Sequence, residues 1–205
     1  MKLYHTVAAL AISTITSQAA LIASTGFEVS EGFPNNTVAG GFNVTTADGA
    51  NWTAGGAGNY AGAWTGQALS GTQAAVIGNV STNAQFITVD PSGSDGVATI
   101  SFSWERFTTT TTNLIVQYTT DALDGGESWT NAETIDMSGA PGGGWTAETV
   151  NINQSGDVKL RFFLDGAVGS GGSSFDDVTV NSIPEPSSTA LLGLGGLALI
   201  LRRRK

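Results

Sequence analysis

Alternation of apolar and polar residues, with a period of two, dominates the chain between residues 20 and 183. In the segment Val97–Phe107, one face of the predicted strand carries only apolar side chains, those of Ala98, Ile100, Phe102 and Trp104. Two later segments repeat the pattern, through Leu114, Val116 and Tyr118 and through Val158, Leu160, Phe162 and Leu164. Further strands are predicted at Leu21–Phe27, Ala74–Ile77, Gln85–Val89, Glu148–Ile152 and Phe175–Val180. No stretch of this region has an apolar period of 3.6, so the region is not expected to be helical.

Glycine-rich turn signals separate these segments, for example Asp90-Pro91-Ser92-Gly93, Asp124-Gly125-Gly126 and Pro141-Gly142-Gly143-Gly144. Many short strands joined by such turns indicate an antiparallel arrangement of two sheets. No repeat of 20 to 50 residues is present, which disfavours a solenoid or a propeller. The sequence therefore predicts an all-β, two-sheet antiparallel sandwich over residues 20–181.

The first 19 residues have the features of an export signal. Lys2 supplies a positive charge, Val7–Ile15 is apolar, and Ser17-Gln18-Ala19 places small residues at the cleavage positions. We expect a signal peptide over residues 1–19, with Ala20 as the first mature residue. The alternative is an amphipathic first helix of the domain.

Removal of this segment would change the chemistry available to the chain. His5 is the only histidine, and the chain has no cysteine. The mature protein would therefore lack Ser-His-Asp and Cys-His catalytic sites. Zinc sites built on imidazole or thiolate ligands are excluded in the same way.

The other end of the chain combines an apolar run with a basic end. Thr189–Leu201 contains 13 uncharged residues, which as a helix would extend about 20 Å against a hydrocarbon core of about 30 Å. This predicts a marginal, temporary transmembrane helix over residues 189–201. The basic residues Arg202, Arg203, Arg204 and Lys205 would stay on the cytoplasmic side. A buried core helix is the alternative.

A short motif, Pro184-Glu185-Pro186, lies immediately before the apolar run. Each proline prevents helical continuation, so the motif is expected to be extended and exposed. The motif, the short apolar helix and the arginine-rich end together resemble the PEP-CTERM sorting signal, here over residues 182–205. The resemblance implies export, a transient stage in the inner membrane, recognition and cleavage by an exosortase near the motif, and delivery to the surface or extracellular matrix of a Gram-negative bacterium.

The region between the two ends is strongly acidic. Its sixteen Asp and Glu residues face only three basic residues, Arg106, Lys159 and Arg161, which gives a net charge of −13. Such a surface repels phosphate backbones, so nucleic-acid binding is excluded as a function class. Acidity also favours solubility outside the cell and association with divalent cations.

The order of three landmarks is similar to that in jelly-roll domains of carbohydrate-binding modules. These landmarks are Gly26-Phe27-Glu28, the stretch from Tyr118 to Trp129, and Phe175–Val180. The middle stretch also resembles the Asp-box hairpin of sialidases, with two extra residues between its Asp and Gly, which supports a hairpin. The jelly-roll resemblance implies a structural calcium ion, with Glu28, Asp176 and Asp177 as its ligands if the first and last strands are neighbours. Two solvated acids in a turn are the alternative.

Three aromatic residues, Trp52, Tyr60 and Trp64, lie in a glycine-rich segment without an evident strand period. Exposed rings of this kind offer flat apolar faces to sugars, so we expect a sugar platform here. The alternative is that these rings close the end of the sandwich.

The sequence therefore predicts a non-catalytic, polysaccharide-associated surface or matrix protein. A structural or adhesive surface protein without a sugar site is the second hypothesis. A carboxylate-dependent glycosidase is the third, because no strand carries the closely spaced acidic row of jelly-roll glucanases.

Overall fold

The computed structural model describes residues 18–35, 41–56, 61–79, 85–91, 93–106, 112–138, 143–166 and 171–184. Over these ranges the chain forms twelve β-strands in two antiparallel sheets, with one short 3₁₀ turn at Val29–Glu31. The all-β sandwich predicted from the period-two segments is thus confirmed. All twelve strands belong to one compact unit, Ala19–Ile183.

The strands differ in length, from the four residues of β2 and β4 to the twelve of β12. In chain order they are β1 Leu21–Thr25, β2 Phe42–Thr45, β3 Asn51–Gly56, β4 Ala61–Trp64, β5 Ala74–Asn79, β6 Gln85–Asp90, β7 Gly96–Arg106, β8 Thr112–Thr119, β9 Thr130–Asp136, β10 Thr146–Ser155, β11 Lys159–Gly166 and β12 Gly171–Ser182.

Sheet 1 has the strand order β10-β7-β12-β5-β4, and β1 also pairs with β12. Strand β12 is the longest, and it pairs with β5 through its first half and with β1 through its second half. Leu21 at the start of β1 lies opposite Asn181 near the end of β12. The first and last strands of the sandwich are therefore neighbours.

Sheet 2 has the order β2-β3-β6-β11-β8-β9. Strands β8 and β9 form the hairpin predicted around the Asp-box-like stretch, with Asn113 opposite Asp136. Because side chains alternate between the two faces of a strand, each strand of sheet 2 has an inner face toward sheet 1 and an outer face away from it.

The core between the sheets is aromatic. The ring of Phe162 on β11 lies 4.8 Å from that of Phe102 on β7 and 4.8 Å from that of Phe175 on β12. A second group, of Phe27, Phe33, Phe42 and Trp52, packs mainly edge to face. All seven of these side chains are buried. Since the chain has no cysteine, the sheets are held together without disulfides.

Several strands were missed by the sequence interpretation. The segment around Trp52 was interpreted as a loop, yet it forms β3 and, further along, β4. Asn51, Trp52, Thr53 and Ala54 do alternate, but Asn, Ala and Gly have low strand propensity and conceal the pattern. Strand β9 was missed because it is an exposed edge strand with few apolar residues.

Replacing Phe162 by Ala is expected to lower the free energy of unfolding by about 3 to 5 kcal/mol, because a buried ring between two others leaves a cavity. Phe163→Ala, on the half-buried outer face of the same strand, is the matched control and should cost much less. Urea denaturation of both variants measures the difference. Equal losses would contradict the assignment of the inner face.

Candidate functional site

One line of polar side chains crosses the whole outer face of sheet 2. The register places six residues directly opposite one another on successive strands, from β2 to β9, and these are Asn43, Thr53, Thr88, Arg161, Gln117 and Asn131. Directly opposite residues project to the same face of a sheet. The core-facing positions next to them are apolar, so this set, called here the polar row, lies on the outer face.

The polar row is wide and almost uncharged. Six strands at a spacing of about 4.8 Å give it a span of about 24 Å. Its two end residues, Asn43 and Asn131, are exposed, whereas Thr88 and Gln117 on either side of Arg161 are buried. Among the six residues only Arg161 is ionisable, and none is acidic. The row therefore offers amide, hydroxyl and guanidinium groups along a line perpendicular to the strands.

Arg161 lies at the centre of the row and is fixed from two sides. Its Nε donates a hydrogen bond to Oε1 of Gln117 at 2.6 Å, and Nε2 of Gln117 donates to Oδ1 of Asn131 at 2.6 Å. Its guanidinium carbon lies 4.2 Å from the ring centre of Trp129 and 5.4 Å from that of Phe163. Burial lowers the pKa of Arg161 from its ordinary value, but an arginine stays charged at neutral pH.

Hydrogen bonds within the connection between β8 and β9 position Trp129 beside Arg161. The N–H of Ser128 donates to Oδ2 of Asp121 at 2.9 Å, and the N–H of Asp121 donates to Oγ1 of Thr119 at 3.1 Å. Gly125, with φ at 94°, makes a turn that a side chain would strain. The half-buried Trp129 is the last residue of this connection before β9 begins.

A second polar group extends the row at the other edge of the sheet. Nδ2 of Asn51 donates to Oδ1 of Asn43 at 3.0 Å and to Oγ1 of Thr45 at 3.2 Å. All three side chains lie on the outer face of β2 and β3. This cluster of neutral hydrogen-bonding groups stands at the edge opposite Trp129.

The structure does not place Trp52 on the surface that the predicted sugar platform of Trp52, Tyr60 and Trp64 requires. Trp52 is fully buried in the core on β3, and its indole nitrogen donates to Oγ1 of Thr46 at 3.2 Å. The prediction that Trp52 is exposed is therefore wrong, because the segment is a strand whose inner face points to sheet 1. Trp64 is half-buried on β4 of sheet 1, where its ring contacts Gly66. Tyr60 lies outside the described residues.

Glu28, which follows β1, accepts hydrogen bonds from the loop before β5. The N–H groups of Thr72 and Gln73 donate to its Oε1 at 2.7 and 3.2 Å, and Oγ1 of Thr72 donates to its Oε2 at 2.6 Å. Burial of Glu28 favours a higher pKa, but these hydrogen bonds outweigh it and hold the pKa below its ordinary value. The carboxylate form of Glu28 is thus favoured by folding.

Asp176 and Asp177 hold the same loop from β12. The N–H groups of Leu69 and Ser70 both donate to Oδ2 of Asp176 at 2.9 Å, and the N–H of Asp177 donates to its Oδ1 at 2.8 Å. Oγ of Ser70 donates to Oδ1 of Asp177 at 2.7 Å. Complete burial raises the pKa of Asp176, although these N–H groups oppose the shift. With Glu28, these two residues form what is called here the carboxylate clamp.

The oxygens of the carboxylate clamp are mostly engaged within the protein. Its three members lie around Gly26, and most of their oxygens accept hydrogen bonds from N–H or O–H groups. In the described ranges no group of three or more His, Cys, Asp or Glu side chains is placed to hold a metal ion.

Calcium binding stays a prediction. A melting temperature several degrees higher in the presence of calcium than in the presence of a chelator would support calcium binding. Melting curves that superimpose under the two conditions would reject it.

The predicted sorting motif begins at the end of β12. Pro184 is exposed, and Glu185, Pro186, the predicted span 189–201 and the basic residues Arg202, Arg203, Arg204 and Lys205 lie outside the described residues. The predicted signal peptide also lies outside them, apart from its last two residues. In the part of the chain that is described, no helix has the length and apolarity needed to span a membrane.

Comparison with protein families identifies the segment that follows the sandwich. Residues 182–205 match the family model described as the PEP-CTERM protein-sorting motif. The chain carries a PEP-CTERM sorting motif. The resemblance drawn from Pro184-Glu185-Pro186, the apolar run and the basic end is thereby confirmed. No curated protein matches the chain.

Solved structures with the same fold include carbohydrate-binding and adhesin domains. The CBM22-1 xylan-binding domain from Paenibacillus barcinonensis Xyn10C aligns with a TM-score of 0.53 and 13% identity, over 83% of this chain and 99% of that one. The K3 cleaved adhesin domain of Lys-gingipain from Porphyromonas gingivalis aligns with 0.55 and 14%, over 81% and 100%. The K2 domain of Lys-gingipain aligns with 0.52 and 13%, over 63% and 87%. At these identities the likeness establishes the fold alone, a two-sheet β-sandwich that both kinds of domain share.

The central residues of the polar row were missed by the sequence interpretation, although a signal was present. The alternation that assigns Leu160, Phe162 and Leu164 to the core assigns Arg161 and Phe163 to the opposite face. An arginine and an aromatic residue on the solvent face of a central strand indicate a functional surface. The contribution of Trp129, by contrast, depends on the conformation of a ten-residue connection, which no periodicity describes.

Replacing Glu28 by Gln is expected to destabilise the fold in a pH-dependent way. Folding lowers the pKa of Glu28. The contribution of Glu28 to the free energy of unfolding is therefore fully present above its unfolded pKa of about 4.3, and it is lost as the pH falls through the lower pKa of the folded state. The stability difference between wild type and Glu28→Gln should therefore narrow as the pH falls below about 4. Urea denaturation from pH 3 to pH 7 measures it, with Glu133→Gln on exposed β9 as control. A difference that stays constant with pH would contradict this role.

Proposed function

We propose that the protein is a non-catalytic, polysaccharide-binding protein that is exported and sorted by an exosortase to the cell surface or extracellular matrix. The sorting motif at residues 182–205 supports the export and sorting. The transient inner-membrane stage and the Gram-negative host follow from that motif in the same proposal. The polysaccharide-binding part rests on the outer face of sheet 2.

The single observation that carries the binding function is the polar row with its stacked centre. Sugars are recognised by hydrogen bonds from amide, hydroxyl and guanidinium groups together with contacts to aromatic rings. The exposed and half-buried members of the polar row, Asn43, Thr53, Arg161 and Asn131, supply the first three groups, and aromatic rings lie beside Arg161.

The charges around the row favour a neutral polysaccharide. Arg161 and Lys159 are the two basic residues of β11, but Lys159 pairs with Asp157 at 2.6 Å and lies near Asp90. Glu127 acts electrostatically on Arg161. The body as a whole carries a net charge of −13, which opposes the approach of a polyanion at moderate ionic strength. We therefore assign a neutral chain, such as a xylan, mannan, galactan or glucan, to the polar row.

The shape of the row favours an internal stretch of an extended chain. The polar row is about 24 Å long across six strands, and the residues at its two ends, Asn43 and Asn131, are exposed. Its shape is that of an extended surface and not of a closed pocket. Hydrolysis of a glycosidic bond normally requires two carboxyl groups about 5 to 10 Å apart. The six residues of the row include no carboxylate, which supports binding without catalysis.

Replacing Trp129 by Ala is expected to weaken binding to a neutral polysaccharide about tenfold, because the ring and the position of Arg161 are lost together. The purified protein is titrated with soluble xylan, mannan, galactan and β-glucan by isothermal calorimetry. Trp64→Ala is the matched control, since Trp64 is also half-buried but lies on sheet 1. It should leave affinity unchanged.

Two results would contradict the proposal. Equal losses in Trp129→Ala and Trp64→Ala would show that neither ring marks the site. Absence of binding by the wild type to any polysaccharide would leave the second hypothesis, a structural or adhesive surface protein. The adhesin domains of the same fold are consistent with that hypothesis.

A further inference from the structure

The side-chain amides of the polar row share one orientation. The row contains three of them, on Asn43, Gln117 and Asn131, and the carbonyl oxygen of each accepts a hydrogen bond from within the protein. For Asn43 the donor is Nδ2 of Asn51, at 3.0 Å. For the other two the donors are Nε of Arg161 and Nε2 of Gln117, each at 2.6 Å. The acceptor side of all three amides is thus turned toward neighbouring side chains of the sheet.

At one end of the row this orientation follows from the chemistry of Arg161. An arginine side chain can only donate hydrogen bonds, so Gln117 has to present its carbonyl oxygen to Arg161. The nitrogen of the amide lies on the opposite branch, and it donates to Asn131. Asn131 therefore presents Oδ1 to Gln117, and its Nδ2 points away. The buried Gln117 thus transmits the donor character of Arg161 to the exposed end of the row.

The groups that the row offers to a ligand are mainly donors. Asn43 and Asn131 are exposed, and within the described residues Nδ2 of neither side chain donates to a protein group. The half-buried Arg161 adds a guanidinium group, which has no acceptor atom. These three positions lie on β2, β9 and β11, so Arg161 is about 14 Å from Asn43 and about 10 Å from Asn131 at the usual strand spacing. The hydroxyl groups of Thr53 and Thr88 can take either role.

A row of donors discriminates between the polar groups of a polysaccharide. A sugar hydroxyl that accepts a hydrogen bond still carries a proton that needs an acceptor, and the amide carbonyls of the row are already engaged. A carbonyl oxygen carries no proton and can accept from one or two donors. A ligand group that accepts without donating is therefore expected to bind the row more tightly than a hydroxyl does.

The rings at the centre of the row favour an acyl ester among such groups. The half-buried rings of Trp129 and Phe163 have their centres 4.2 and 5.4 Å from the guanidinium carbon of Arg161, so donors and apolar surface are adjacent. An acetyl ester combines a carbonyl oxygen with a methyl group, which matches this pair of surfaces. An ether oxygen lacks the apolar part, and a carboxylate carries a charge that the net charge of −13 opposes.

We propose that the polar row preferentially binds an O-acetylated neutral polysaccharide, whose ester carbonyls accept hydrogen bonds from Nδ2 of Asn43, the guanidinium group of Arg161 and Nδ2 of Asn131. This inference rests on the proposed polysaccharide-binding function and names the ligand class of the same site. Gln117 is a positioning residue in this scheme, because it sets the orientation of Asn131 and is itself buried.

The test compares acetylated and ester-free forms of the same polysaccharide. Xylan, mannan, galactan and β-glucan are each partially O-acetylated, and a portion of each preparation is treated with mild alkali, which hydrolyses the esters and leaves the backbone. Isothermal calorimetry with the purified protein should show about tenfold tighter binding of the acetylated form, because several donors lose an acceptor when the esters are removed. Equal affinity for the two forms, or tighter binding of the alkali-treated form, would overturn the proposal and leave polysaccharide binding itself in place.

Gln117→Glu tests the orientation of Asn131 with little change of shape. A carboxylate at residue 117 still accepts from Arg161 but cannot donate, so Asn131 has to rotate and turn Oδ1 toward the ligand. The preference for the acetylated form should fall from about tenfold to about threefold. Gln154→Glu makes the same substitution at a half-buried position of β10 in sheet 1 and should keep the preference. An unchanged preference in Gln117→Glu would contradict the proposal, and this ratio, measured within one variant, does not depend on the fraction of protein that is folded.

Asn43→Asp tests the opposite end of the row at an exposed position, where folding is not at risk. The carboxylate can still accept from Asn51 but offers no donor to the ligand, so the preference should again fall about threefold. Asn151→Asp, at an exposed position of β10 in sheet 1, is the matched control for the added charge and should keep the preference. An unchanged preference in Asn43→Asp would also overturn the proposal. Absence of wild-type binding to every preparation would instead contradict the proposed function itself.

Discussion

Burial of apolar strand faces between the two sheets is the constraint on which the described structure depends. The rings of Phe102, Phe162 and Phe175 meet at the centre of this interface. The chain has no cysteine, so packing has to supply the stabilisation that disulfides give to many exported domains. Every central strand must therefore present apolar residues inward. Its alternate residues, which point outward, are left free to carry hydrogen-bonding groups, and the polar row occupies these positions on sheet 2.

The pairing of the first and last strands brings the two ends of the sandwich together. Because β1 lies beside β12, Ala20 and Ser182 are joined by hydrogen bonds, so the residue after the predicted signal peptide lies beside the first residue of the sorting motif. The carboxylate clamp reinforces the same region, since Glu28 follows β1 and Asp176 lies within β12. Phe27, next to Glu28, and Asp177, a member of the clamp, adopt positive φ angles of 59° and 50°, a strain that the hydrogen bonds of the clamp offset.

The sequence predicted the inner face of the sandwich well and the site poorly, for physical reasons. Strong alternation of large apolar residues, as in β7 and β11, can be recognised in the sequence alone, because one face of each strand must be apolar to be buried between the sheets. Trp52 was misplaced because its strand is rich in Ala, Gly and Asn, so a core residue was taken for an exposed one. The place of Arg161 on the outer face follows from the alternation of β11. Its neighbours in space, Gln117 and Trp129, follow only from strand order and from the course of a long connection, which local patterns do not encode.

The central claim is that the outer face of sheet 2 binds a neutral polysaccharide along the polar row. Amide hydrogen exchange of the protein with and without a bound neutral polysaccharide tests this claim most directly, because it locates the contact on the strands. The account predicts slower exchange along β3, β11 and the β8–β9 connection that ends at Trp129, with β5 and β10 of sheet 1 unchanged. Protection confined to sheet 1, or at the carboxylate clamp, would contradict it.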